Sequence, residues 1–168
     1  MKKSTTFFPM EDIREEIECI FETEKSFINK GLPYADIQHV GGTSITGSIT
    51  KKELDIQIRI TSDKLDETIK FFENSSYKPY HKELWTETFA IMAAEKSGIP
   101  VDYMITVIGA TQDDHYKVRD FLRENKDVLA DYNNLKILYT GRDYADYVKA
   151  KQEFFIGHGK IKFLVKDP

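Results

Sequence analysis

A single cysteine, Cys19, stands in a chain of 168 residues. One thiol makes neither an internal disulfide nor a zinc cluster, which suits a reducing compartment, and a cytoplasmic location is expected. Inside a helix with no activating pattern around it, that thiol is expected to be buried or inert. No apolar run approaches the roughly 18 to 20 residues of a membrane span, so no membrane partner is expected. The basic opening residues are followed by Glu11, Asp12, Glu15 and Glu16, where a signal peptide carries its apolar segment. Proline and glycine number only 5 and 9 and form no linker, so one domain over 1–168 is expected. An excess of positive charge is also missing. With 24 basic against 28 acidic residues, the chain is a poor candidate for coating nucleic acid. The 4 histidines share no metal-ligand spacing, and His39, beside a glycine-rich stretch, reads equally as a packed strand residue or a site residue.

What is present is core material. Hydrophobic residues make up 40% of the chain, with 11 Phe and 9 Tyr among them, which argues against disorder. Ile13, Ile17, Ile20, Phe21, Phe27 and Ile28 recur at helical spacing, predicting an N-terminal helix over about residues 9–30. Residues 37–40 read as a short strand. Leu54, Ile56, Ile58 and Ile60 alternate with Asp55, Gln57 and Arg59, the pattern of a strand with one apolar and one polar face. Leu65, Ile69 and Phe72 predict a helix over 63–74, with Ser62 as its cap. Residues 88–94 and 99–108 read as a hairpin turning at 95–98. After Gly109 the periodicity is helical throughout, in three segments ending at Gly157 or Gly159. The expected plan is α+β: an N-terminal helix, a small mixed sheet over about 34–109, and C-terminal helices over about 113–158.

The densest chemical signal is Gly41-Gly42-Thr43-Ser44-Ile45-Thr46-Gly47-Ser48. Glycines among small hydroxyl residues after a strand let backbone N–H groups approach an anion. A P-loop is excluded, because Ser48-Ile49 follows Gly47 where Lys and Ser/Thr belong. Asp55 lies on a strand thirteen residues after Gly42. A glycine-rich loop followed at that separation by a strand carboxylate resembles the nucleotidyltransferase superfamily.

More narrowly, His39-Val40-Gly41-Gly42-Thr43-Ser44 with Gly47, Lys51 and Asp55 resembles the GrpB family. Arg119-Asp120-Phe121-Leu122-Arg123, Leu135-Lys136 and Tyr147 to Lys151 with Phe154-Phe155 are similar to that family's C-terminal helices. The resemblance implies a nucleotidyltransferase-like fold and a phosphoryl-transfer site. It implies Asp55 and Asp102 as catalytic residues and as ligands of Mg²⁺ or Mn²⁺. It implies Gly41, Gly42, Thr43, Ser44, Lys51 and Arg119 around the phosphates of a nucleoside triphosphate, with an unknown acceptor. Arg59, Lys136 and Lys151 are further candidates for phosphate contact. Two departures stand out: Thr46 replaces the family's proline, and Gln57 occupies the place of the superfamily's second strand carboxylate. Gln57 favours a rival reading, a non-catalytic nucleotide- or ligand-binding module of the same fold. A third reading is a protein-interaction scaffold built on the aromatic C-terminal helices.

Overall fold

The computed structural model describes residues 6–158. The basic opening residues and Gly159 lie outside them. The first helix begins with a 3₁₀ turn, Met10–Ile13, and continues as α1, Arg14–Gly31. It buries Ile17, Ile20, Phe21 and Ile28, the face that the sequence spacing predicts. Cys19 falls on the opposite face and is exposed, so of the expected alternatives, buried or inert, its place in the helical repeat removes the first.

The main sheet holds β2 (Asp36–Val40), β4 (Leu54–Ile60), β5 (Lys78–Tyr80), β6 (Phe89–Lys96) and β7 (Ile99–Val107), in the order β2-β4-β7-β6-β5. A separate two-residue pairing joins β1 (Phe8–Pro9) to β3 (Ile49–Thr50). The β6–β7 hairpin turns through Ser97 and Gly98, both at positive φ, as a tight two-residue turn between right-twisted strands requires. Strands β4 and β7 run parallel, and α2 (Leu65–Glu73) lies in the connection between them. Ser62 does not cap α2. It opens a 3₁₀ turn, Ser62–Lys64, that runs into the helix without a side-chain cap.

The period-2 pattern of β4 sorts the two sheet faces. Leu54, Ile56, Ile58 and Ile60 are fully buried and pack with Val101, Tyr103, Ile105 and the apolar faces of α1 and α2. Within this core, Glu24 of α1 accepts hydrogen bonds from Tyr77 (2.6 Å) and Tyr103 (2.7 Å) and pairs with Lys96 (2.9 Å), so its carboxylate is buried fully satisfied. The opposite face carries Asp55, Gln57 and Arg59. Helices α3 (His115–Glu124), α4 (Lys126–Tyr139) and α5 (Tyr144–Gly157) follow, and α3 and α4 contact β2 and β3. They build a second apolar cluster around Ile45, Leu122, Leu129, Tyr132 and Phe155. Among the described residues no helix is long and apolar enough to cross a membrane.

Candidate active site

Parallel pairing of β4 with β7 sets Asp55 directly opposite Asp102. Opposite residues on neighbouring strands share a face, and the strands are about 4.8 Å apart. The two carboxylates therefore stand side by side, and neither accepts a hydrogen bond from another described residue. Burial pushes the Asp55 carboxyl up to about 8, with the negative charges of Glu53 and Asp102 adding to it. Asp102 rises to about 6, again through burial first and Glu53 second. Burial and like charge thus favour the protonated carboxyls, and a cation between the two would favour their ionised forms instead.

The glycine-rich loop abuts this pair. Gly41 has φ +71°, and a side chain there would overlap the Asp55 carboxylate, so only glycine lets the chain cross at this point. The next residues, Gly42–Ser44, form a 3₁₀ turn. Thr43 and Ser44, expected to hold phosphate, are buried, and their hydroxyls are used within the loop. Thr43 Oγ1 meets His39 Nε2 at 3.1 Å, and Ser44 donates to the Gly41 carbonyl at 2.6 Å. His39 is a packed residue, stacked on Phe21 with ring centroids 4.9 Å apart. Burial, with Arg123 and Arg119 nearby, lowers its pKa to about 4, so the ring is neutral.

Both ends of the loop are braced. Asn133 of α4 donates to Gly47 O (2.8 Å) and accepts from Ile49 N (3.0 Å), and Glu11 accepts from Gly47 N (2.9 Å). Arg123 donates to Ser44 O at 2.6 Å. Arg119, a phosphate candidate by sequence, donates to Gln38 Oε1, to the His39 carbonyl and to Asp120. The structure uses it to pin α3 to β2 rather than bringing it to the carboxylates.

Three lysines do converge. Lys51 pairs with Glu53 at 2.7 Å and donates to Tyr144 Oη at 3.3 Å. Burial works against its charge, but Glu53, Tyr144 and Asp55 outweigh that and hold its pKa above the ordinary value. Lys151 of α5 is close enough for its charge to act on Asp55 and on Lys136. Lys136 is buried, with its ammonium donating to Ile49 O (2.6 Å) and Ser48 Oγ (3.1 Å) and lying 4.0 Å over the Tyr132 ring. Burial, with Lys151 adding to it, lowers its pKa to about 7, and no described carboxylate pairs with it.

Gln57 and Arg59 share the polar face of β4 but lie under the start of α3. Gln57 is wholly buried. Its amide donates to Thr106 Oγ1 (3.0 Å) and Asp113 Oδ1 (3.1 Å), and its carbonyl accepts from Tyr116 N (3.1 Å). Arg59 forks onto Asp113 (2.6 and 2.9 Å) and reaches Asp36 (2.7 Å). These two residues hold α3 on the sheet. Sequence reasoning missed Glu53, although its spacing two residues before Asp55, on the run into the same strand, was the available signal. Among the described residues no three acidic, histidine or cysteine side chains form a ready metal cage.

Comparison with known proteins identifies the family and the fold. A family model described as GrpB protein matches residues 10–159. The chain belongs to the GrpB family. A UPF0157 protein of Vibrio cholerae is 26% identical over 148 residues, spanning 88% of this chain and 78% of that one. The crystal structure of a GrpB protein from Enterococcus faecalis superposes with a TM-score of 0.62 at 20% identity, covering 94% of this chain and 99% of that one. Beyond the GrpB family, the Cid1 poly(U) polymerase solved with MgGTP superposes with a TM-score of 0.56 at 11% identity, covering 77% of this chain and 43% of that one. At such identities the likeness is one of fold, and the fold is that of nucleotidyltransferases.

Proposed function

We propose that this GrpB protein binds a nucleoside triphosphate with Mg²⁺ or Mn²⁺ and transfers its nucleotidyl group to a small-molecule or protein acceptor. The observation that carries the reading is the in-register pair Asp55–Asp102, with the Gly41 backbone laid against Asp55. The donor set fits the metal: Mg²⁺ takes hard oxygen ligands and is usually held by one or two carboxylates plus substrate phosphates. When bound, such an ion supplies charge neutralisation and polarises a phosphoryl oxygen. The rest falls to the chain. Asp55 and Asp102 hold the cation, and the loop backbone at Gly41 and Gly42 lets phosphate oxygens approach. Lys51, Lys151 and the buried Lys136 balance the charge of the polyphosphate, which would give Lys136 the counter-ion it lacks. Thr43, Ser44 and Arg119 act behind this surface, fixing the loop and α3.

The rival reading, a binding module that lost its chemistry, rested on Gln57. That residue is buried under α3 and hydrogen-bonded to Thr106, Asp113 and Tyr116, so on the proposed reading the cation falls to Asp55 and Asp102 alone. The test is thermal denaturation against a panel of nucleoside triphosphates and inorganic tripolyphosphate, with and without Mg²⁺. Ligand at a hundredfold excess over Kd adds about 2.7 kcal/mol of stability. A metal-dependent rise in Tm that Asp55→Asn abolishes is the expected result; no rise with any nucleotide would remove the reading.

A further inference from the structure

Lys51 and Glu53 stand in the tight connection between β3 and β4, where Glu53 N donates to Lys51 O at 2.9 Å. That turn brings their side chains together in an ion pair of 2.7 Å. The pair is partly open to solvent, at 29% and 31% exposure, and is not sealed structural packing. Both members face the carboxylate pair, and the charge of Lys51 acts on Asp55 and Asp102 with the sign opposite to that of Glu53. Glu53 precedes Asp55 by two residues and its charge acts on both Asp55 and Asp102. Lys51 lies over the Tyr144 ring, 4.7 Å from its centroid, on the side of α5 that also carries Lys151. As the chain stands, the only charged partner of the Glu53 carboxylate among the described residues is Lys51.

Resting on the nucleotide reading above, we propose that the Lys51–Glu53 ion pair is a latch coupling cation binding to polyphosphate binding. A divalent cation between Asp55 and Asp102 draws Glu53 away as a further oxygen ligand and releases Lys51. A polyphosphate draws Lys51 away and releases Glu53. Either ligand alone must break the pair, and the second finds it already broken. The coupling is positive and reciprocal. It holds the cleft in a self-neutralised state until both ligands are present.

The test is a double-mutant cycle over the parent, Lys51→Met, Glu53→Gln and the double variant. Calorimetry reads Mn²⁺ binding without nucleotide, and inorganic tripolyphosphate binding in EDTA. A latch makes each deletion a gain for the opposite ligand. Lys51→Met tightens Mn²⁺ and Glu53→Gln tightens tripolyphosphate, each by about three- to fivefold for a partly exposed pair. The gain in Mn²⁺ affinity from Lys51→Met disappears in the Glu53→Gln background, because there is no carboxylate left to release. Lys51→Arg, which keeps the pair, leaves Mn²⁺ affinity at the parental level. A gain that persists undiminished without Glu53 is simple long-range charge and overturns the latch alone, as does weaker or unchanged Mn²⁺ binding in Lys51→Met. Failure of all the proteins to bind either probe overturns the nucleotide reading and the latch with it.

Discussion

Replacing Gln57 with Glu tests what the polar face of β4 is for. If Gln57 were a lapsed metal ligand, the new carboxylate would join Asp55 and strengthen metal binding. Its surroundings predict the opposite. The Gln57 amide nitrogen donates to Thr106 and, at 3.1 Å, to an Asp113 oxygen. In Gln57→Glu both donations are lost and an acceptor faces the Asp113 carboxylate, whose charge Arg59 already holds low in pKa. The Tyr116 N–H donation survives. Breaking a buried charged network from one side costs about 3–5 kcal/mol, against a total stability of about 5–15 kcal/mol for a domain. Tm should fall by about 10 °C. The sign with pH follows: burial beside Asp113 raises the new carboxyl's pKa above its unfolded value, so the variant is least impaired near pH 5. It loses further stability relative to the parent as pH rises toward 8. Urea titrations at pH 5, 7 and 8, each in EDTA and in millimolar Mn²⁺, read this out. The loss should be the same with and without metal. Recovery of the lost stability by Mn²⁺ in the variant alone would refute this structural role and restore Gln57 to the metal site.

Two further outcomes follow from the same geometry. The folded-state pKa values of Asp55 and Asp102, about 8 and about 6, lie above the unfolded value of 3.8, so the native state holds protons more tightly; in EDTA, stability should decline as pH rises from about 4 to 8, and Asp55→Asn should flatten that decline, whereas an equally steep decline in the variant would place its cause elsewhere. Gly41→Ala forces a side chain into a glycine-only backbone conformation, at about 1–3 kcal/mol, and into the Asp55 carboxylate; melting should show a lower Tm together with lost metal-dependent stabilisation, and parental values for both would mean that the close approach at Gly41 is dispensable.

Much of the fold is legible because its elements are locally consistent. The alternation from Leu54 to Ile60 and the spacing along α1 each name the buried face without tertiary information. What the sequence hides is short or non-local. β1, β3 and β5 are two or three residues long, too brief for a period to register. Their pairing depends on segments far along the chain, as when Phe8 meets Thr50.

The candidate site divides along the same line. Asp55 was legible as a strand carboxylate thirteen residues after Gly42, and Asp102 because it interrupts an apolar strand, where an ionised group is costly without a partner. Whether they meet depended on β4 and β7 being parallel and in register, which a one-residue slip would have undone. The hydroxyls of Thr43 and Ser44 and the guanidinium of Arg119 are suited to phosphate by residue type, and in this fold each also bonds within the chain, to His39, to the Gly41 carbonyl and to β2. Lys136, a further candidate for phosphate contact by sequence, is buried beneath the glycine-rich loop, and no described carboxylate pairs with it. A buried ammonium is costly unless something negative answers it. Among the described residues the Lys136 ammonium meets a hydroxyl, a carbonyl and the face of Tyr132. Burial thus pushes Asp55, Asp102 and Lys136 alike toward their neutral forms, and on the proposed reading a metal-bound polyanion would favour the charged form of all three.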